Sequence, residues 1–261
     1  MQEMAQKHLQ ILTDLRNAIT LQQFELYYQP IVDLTTGEIL KAEALIRWHH
    51  PGIGLINPIA FISIAEESGL IIEIGDWVFK QAAMQAKRWI ESHGVAIQVS
   101  INKSPVQFHS PEKSTAWLNY LKKLNLSGEN IVIEITEGLL METSDSVIKQ
   151  LLQFRDANIQ VSMDDFGTGY SSLAYLNKFD IDYLKIDRSF THNLAPGSSD
   201  LVLSEAIIVM AHKLGLKVIA EGIESKDQYQ LLQAAGCDYG QGFLLSKPLP
   251  ANEFIQLVEK Q

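Results

Sequence analysis

Asp164 and Asp165 stand side by side at the end of a short apolar run, Ile159 to Met163, and ahead of a loop punctuated by Gly167 and Gly169. Two carboxylates held this close repel each other, so a hard divalent cation with oxygen ligands is the natural neutraliser. Strand alternation sends the two side chains in different directions unless the chain turns, and the glycines permit a turn. Alone, the pair is equally an acidic surface turn. Similar residues, however, recur at other predicted strand ends: Glu43 in Ala42–Trp48, Asn102 after Ser100-Ile101, Glu134 within Ile131–Ile135, Lys185 in Leu184-Lys-Ile-Asp187, and Glu221 after Ile219-Ala220. Glu134 and Lys185 sit inside runs that a buried strand requires, where an unpaired charge is costly. Carboxylates at 43, 134, 164, 165 and 221, with the amide carbonyl of Asn102, are the donors that two divalent ions need. No His or Cys joins them, which disfavours zinc relative to Mg²⁺ or Mn²⁺.

For these residues to meet, the fold must bring strand ends together. Residues 3–20 read as an amphipathic helix with Leu12, Leu15 and Ile19 in one stripe, too short for a coiled coil and expected to be a connector from a preceding domain. Phe24–Val32 and Glu38–Arg47 read as antiparallel strands, because the turn between them permits a hairpin and no crossover. Strand and helix then alternate. Helices are expected over 58–68, 76–92, 112–124, 144–157, 172–177, 200–214, 226–235 and 252–259, that at 200–214 with a strong apolar face. Strands are expected over 95–101, 131–135, 159–163, 181–186, 218–220 and near 239–244. About eight strands over roughly 240 residues fit an α/β fold, a modified TIM (β/α)8-type barrel with an antiparallel first strand. An open doubly wound sheet is the rival, but its Gly-rich phosphate loop after the first strand is missing. In a barrel the strand ends converge on one face, where active sites of this fold lie. Residues 1–20 are expected to be a linker helix and 21–261 one globular domain.

The chain has 261 residues, 46% of them hydrophobic and 20% charged, as expected of a globular protein with a sizeable core. Its net charge of −10 argues against nonspecific binding of duplex nucleic acid or anionic membrane. Acids loaded with metal reverse that sign locally, so an anionic ligand fits. No apolar run approaches the ~18 residues of a membrane span, and no leader opens the chain, so a cytoplasmic location is expected. The single cysteine, Cys237, reads as small packing in a reducing compartment. His49-His50 before Pro51 reads as structure rather than a metal pair, since adjacent residues seldom share an ion.

With these motifs in order, the chain closely resembles the EAL-domain cyclic di-GMP phosphodiesterases from about Phe24 to Glu259. The resemblance rests on Tyr28-Gln-Pro-Ile31, Glu43-Ala-Leu45, Glu134-Ile-Thr-Glu137, DDFGTGYSSL from Asp164, Leu184-Lys-Ile-Asp187, Ala220-Glu-Gly-Ile-Glu224, Gln241-Gly-Phe243 and Ser246-Lys-Pro248. It implies hydrolysis of cyclic di-GMP to 5′-pGpG by in-line attack of an activated water at two Mg²⁺ or Mn²⁺ ions. Glu43, Asn102, Glu134 and Asp164 resemble the ligands of the first ion. Asp164 bridges to a second, held with Asp165 and Glu221. Lys185 resembles the lysine that contacts the attacking water, Gln241 a holder of water, and Glu137 the glutamate that steadies the DDFGTG loop. Gln29 matches a guanine contact and Arg47 a phosphate contact, with Leu45 and Pro248 also on the substrate side. The resemblance further implies a homodimer through Asp164–Asn177, a fused sensory or GGDEF domain upstream, and a full-length protein that is in some members membrane-anchored. A silent member acting as a cyclic di-GMP receptor is the alternative, but such members lose ligands that are intact here. A Mg²⁺-dependent carbon-acid enzyme would leave Gln29 and Arg47 without roles. Two residues depart from the pattern: Lys103 where an apolar residue is usual, and Lys41 where glycine is common.

Overall fold

The computed structural model of the chain describes residues 2–141, 144–167 and 179–261. β1 (Phe24–Asp33) and β2 (Ile39–His50) form the hairpin read from the sequence, paired antiparallel from Phe24↔Trp48 to Val32↔Ile39. Asp33 closes their turn by accepting the amides of Thr35 and Thr36 at 2.8 and 2.9 Å, and Gly37 (φ 81°) takes the left-handed position. β4 (Gln98–Asn102), β5 (Ile131–Thr136), β6 (Gln160–Phe166), β7 (Tyr183–Ile186), β8 (Lys217–Ala220) and β9 (Tyr239–Gly240) then follow β2 in order, each parallel to the one before. β1 pairs antiparallel with β9 as well as with β2, so the sheet closes into an eight-stranded barrel in which β1 alone runs against the rest. β3 (Gly54–Ile56) extends the sheet beside β2, and β10 (Leu249–Pro250) pairs with Tyr27 and Tyr28.

The helices cover the outside: α1 (Gln2–Ala18), α2 (Ile62–Glu67), α3 (Ile71–His93), α4 (Pro111–Leu124), α5 (Glu137–Met141), α6 (Asp145–Asp156), α7 (Arg188–Thr191), α8 (Ser199–Lys213), α9 (Lys226–Ala234) and α10 (Ala251–Val258). Between them and the sheet lies the main core, with Trp48, Trp89, Trp117 and Phe254 fully buried. Inside the barrel a separate small cluster of Ile31, Val132, Tyr183 and Ile219 forms a buried middle layer. Polar residues stand on both sides of it along the strands, as alternation requires. On one side Lys41 donates to Tyr183 Oη at 2.7 Å and to Gln98 Oε1. On the other side is the acidic set.

Several expected elements changed shape. The helix at 58–68 is a 3₁₀ turn over Pro58–Ala60 followed by the short α2, and α3 starts five residues before Asp76. α8 is not one-faced: Leu201 and Ile208 are buried while Val202, Leu203 and Val209 are exposed. Its apolar residues run all round, so periodicity overstated one stripe. β3, α5, α7 and the 3₁₀ turn at Pro105–His109 are too short to leave a periodic signal. The helix expected over 172–177 lies outside the described residues. Ile11, Leu15 and Ala18 of α1 are buried, and His50 of β2 meets Asp14 of α1 at 3.0 Å. His49 meets Glu25 instead, at 2.7 Å, so the two histidines serve separate acids. Cys237 is buried, its thiol pushed up to about 12 by burial. Among the described residues no helix is long and apolar enough to cross a membrane.

Candidate active site

Each strand of the barrel delivers one polar side chain to the same rim. Glu43 comes from β2, Asn102 from the end of β4, Glu134 from β5, Asp164 from β6 and Lys185 from β7. Glu221 and Gln241 each stand one residue beyond their strands, β8 and β9, and Gln29 comes from β1. The parallel register makes this possible, because Asn102↔Glu134 and Thr136↔Asp164 are direct neighbours. Lys185 is the hub. Its Nζ lies 2.6 Å from Glu221 Oε1, 2.9 Å from Glu134 Oε2, 3.3 Å from Asp164 Oδ1 and 3.6 Å from Glu43 Oε2. Glu43 accepts further bonds from Asn102 Nδ2 and Gln241 Nε2, both at 2.7 Å. Gln241 Nε2 also donates to Gln29 Oε1 at 3.0 Å, and Gln29 Nε2 to the Ser246 carbonyl at 3.1 Å.

The electrostatics of this cluster follow from four carboxylates facing one ammonium. Burial alone would lower the Lys185 pKa, but Asp164, Glu134, Glu221 and Glu43 together outweigh it and hold it well above the ordinary value. Burial raises Glu134 well above the carboxylate range, with Lys185 opposing and Glu43 and Asp164 adding to the rise. Burial also raises Glu221 to about 7, against the pull of Lys185. Glu43 goes the other way. Burial opposes its ionisation, yet Lys185, Gln241 and Asn102 together favour the carboxylate. The rim therefore carries more negative charge than one lysine neutralises, and it answers by raising carboxyl pKa values. Glu134 Oε1 is buried with no hydrogen-bond partner, a costly state for a carboxyl oxygen.

Asp165 shows how adjacent acids are made to diverge. Met163 pairs with Leu184 and Phe166 with Ile186, so β6 carries one residue more than β7 opposite it. The bulge is taken up with Asp165 at φ 55°, a left-handed conformation that Asp tolerates better than most residues. Asp164 keeps its inward place and its Oδ1 accepts the Asp165 amide at 3.0 Å. Burial and the neighbouring Asp164 raise the Asp165 pKa. Glu137, the first residue of α5, accepts the Gly167 amide at 3.3 Å. The rest of that loop, and with it most of the expected dimer surface over 164–177, lies outside the described residues.

Two hollows flank the cage. A cleft of about 250 Å³ is bordered by Gln29, Glu43, Leu45, Asp164, Glu221 and Gln241. A second, about 480 Å³ and mostly apolar, is bordered by Asn102, Glu134 and Asp165 below Leu45, Ile59, Ile62 and Ile74. Asp165 and Glu221 thus border different hollows, and Asp164 borders the cleft with Glu221. Arg47 lies two residues along β2 from Leu45, its guanidinium 5.3 Å from the Tyr27 ring and donating to the Ile46 carbonyl at 2.9 Å. Pro248 immediately precedes β10. Neither is among the residues bordering the cleft. Arg188, Glu224 and Phe243 border it and were given no role from the sequence. Their signal was adjacency: Arg188 follows the Leu184-Lys-Ile-Asp187 motif, and Glu224 and Phe243 close the motifs that begin at Ala220 and Gln241.

The donors suit a hard cation. They are oxygens, they gather at one rim, and one buried carboxyl oxygen is unpartnered. Among the described residues no three acids, His or Cys already close on an empty point. The acids close on Lys185, which is what an ammonium does when it is the nearest positive charge.

A closed α/β barrel with an acidic cage at the carboxyl ends of its parallel strands defines the class of protein. The sequence model of the EAL domain matches residues 12–248. The chain belongs to the EAL domain family. It is 39% identical over 254 residues to the bifunctional diguanylate cyclase/cyclic di-GMP phosphodiesterase MucR of Pseudomonas aeruginosa, covering 97% of this chain and 37% of that protein. It is also 39% identical over 248 residues to the cyclic di-GMP phosphodiesterase PdeR of Escherichia coli, covering 95% of this chain and 37% of that one. The chain spans little more than a third of either relative. Among solved structures, the phosphodiesterase PaMucR in complex with c-di-GMP superimposes with a TM-score of 0.89 at 39% identity, covering 94% of this chain and 99% of that one.

Proposed function

We propose that this chain is a divalent-metal-dependent phosphodiesterase that hydrolyses cyclic di-GMP to linear 5′-pGpG. The observation that carries the reading is the convergence of Glu43, Glu134, Asp164 and Glu221 within 3.6 Å of one buried lysine, with a carboxyl oxygen of Glu134 unpartnered. Relatives named as phosphodiesterases of cyclic di-GMP support the substrate.

In this reading Glu43, Asn102, Glu134 and Asp164 would hold one cation, and Asp164, Asp165 and Glu221 would hold a second. Two such ions, Mg²⁺ or Mn²⁺, would supply the positive charge that activates a water and stabilises a leaving oxygen. Lys185, within 3.6 Å of all four carboxylates, is placed to orient water and phosphate, with the role of base as the second reading. Gln241, fixed by its bonds to Gln29 and Glu43, holds water beside the cage. Gln29 and Leu45 face a guanine across the cleft, with Pro248 beyond, and Arg47 offers its guanidinium to a phosphate. Glu137 holds the turn at Gly167, and with it the start of the loop that we propose forms a homodimer. The docked α1 is proposed as the connector to an upstream domain.

Chromatography of products from cyclic di-GMP with Mg²⁺ or Mn²⁺, for wild type beside Glu43→Ala, tests the reading. It predicts 5′-pGpG from the wild type only, and none under EDTA. Tight binding without turnover by the wild type would make the chain a receptor instead.

A further inference from the structure

Glu221 carries one side of the cage from an awkward position. β8 ends at Ala220, so Glu221 is the first residue outside the ladder, and Gly222 turns the chain immediately with φ +69°. The sheet still holds the Glu221 amide, which donates to the Ile186 carbonyl at 3.1 Å. Its carbonyl has left the sheet and is received elsewhere. The Thr191 hydroxyl donates to it at 2.5 Å. Thr191 is fully buried at the end of α7, the short helix that begins three residues after Lys185. That hydroxyl has one proton, and its other acceptor, the Arg188 carbonyl of its own helix, is farther at 3.1 Å.

A second side chain ties the same two segments. Gln228 of α9 is buried, and its amide is used at both ends. Its Nε2 donates to the carbonyls of Thr191 at 3.0 Å and His192 at 3.2 Å. Its Oε1 accepts the amides of Glu224 at 2.8 Å and Ser225 at 2.9 Å. The loop after β8 is thereby pinned to the segment after β7 at both of its ends. The fit is close: a Cβ on Gly222 would lie 2.8 Å from Arg188 Cβ and 3.1 Å from Thr191 Oγ1.

We propose that Thr191 and Gln228 form a latch that positions Glu221 against Lys185 and so sets the cation affinity and turnover of the cage. The inference rests on the metal-dependent reading above. Neither side chain borders the cleft, so both are positioning residues that act through the main chain of 221–225. The stakes follow from geometry. Glu221 meets Lys185 at 2.6 Å, the shortest of the four carboxylate contacts, and groups that orient ligands from behind typically change metal affinity or activity by about 10–100-fold when lost.

Thr191→Val removes the hydroxyl and keeps the shape; Gln228→Met removes the amide and keeps the length. Binding of Mn²⁺ alone is measured by calorimetry, cyclic di-GMP turnover at saturating Mn²⁺ by chromatography, and folding by thermal melting. Each variant is expected to bind Mn²⁺ about tenfold more weakly and to lose about tenfold in kcat, with KM within about twofold of wild type. Thr191→Ser, which restores the hydroxyl, is expected to recover both. Folded variants that match wild type in Mn²⁺ affinity and kcat, whatever their melting temperature, would overturn the latch alone. A wild type that neither binds Mn²⁺ nor turns over would overturn the functional reading and the latch with it.

Discussion

Lys103 is the residue whose burial has the most measurable consequence. It follows Asn102 and points out of the barrel, where its ammonium lies 4.2, 4.7 and 5.0 Å from the rings of Phe108, Trp117 and Phe154. Ser114 Oγ at 2.7 Å and Gln150 Oε1 at 3.0 Å are its hydrogen-bond partners, and burial is the one cause of its shifted pKa. Burial lowers its pKa from 10.5 to about 7. At roughly 1.4 kcal/mol per tenfold change in proton affinity, holding this ammonium charged costs about 5 kcal/mol. Attraction to the three ring faces offsets part of that cost. Lys103→Met removes the charge and keeps the stem, while Ser114 Oγ and Gln150 Oε1 remain bonded to each other at 2.6 Å. The variant should therefore be more stable than wild type by about 1–3 kcal/mol at pH 6. The sign with pH is fixed by linkage. Between about 7 and 10.5 the unfolded chain binds a proton that the folded one does not, so wild-type stability relative to Lys103→Met rises across that window and is flat below it. Urea unfolding of the metal-free proteins from pH 6 to 10 measures the difference. A difference that stays constant with pH would show that these rings and neutral partners do not perturb the Lys103 ammonium, and the reasoning would fail.

Three other outcomes are expected. Gly242→Ala should abolish folded, active protein, because its Cβ would lie 2.1 Å from the Ile223 carbonyl oxygen, a main-chain atom without room to move; soluble yield and circular dichroism check this. Mn²⁺ affinity should fall as pH drops below about 7, since a proton then competes for Glu221, and calorimetry from pH 5.5 to 8 should show that loss. Without metal the same raised pKa stabilises the fold below about 4.5, and the contribution disappears as pH rises through 7. Gln241→Leu should lower turnover about tenfold or more, because it removes donors to both Glu43 and Gln29, and steady-state kinetics would record the change in kcat.

The charged residues of the site were legible because they stand within or at the end of apolar strand runs, where a buried charge needs a partner. Glu134 among Ile131, Val132 and Ile133, and Lys185 among Tyr183, Leu184 and Ile186, are the clearest cases. Tertiary closure then supplied what a linear reading lacks, which is that these two meet at 2.9 Å. The bulge at Asp165 was half visible: two adjacent acids demanded a turn, but nothing in the pattern said that the strand would continue to Phe166. Lys103 and Lys41 were visible as departures and not as structures, because their partners are 5 to 142 residues away in the chain. α8 misled because its residues are apolar on all sides, so composition looked like a face. Thr191 and Gln228 act on main-chain atoms, and main-chain contacts leave no residue-type signature.

The central claim is that oxygens from separate strands share divalent cations at this rim. Anomalous diffraction from crystals grown with Mn²⁺ tests it most directly. The account predicts two peaks about 3.5–4 Å apart, the first contacting Glu43, Asn102, Glu134 and Asp164 and the second sharing Asp164. Catalytically competent crystals with no Mn²⁺ at Asp164 would contradict it.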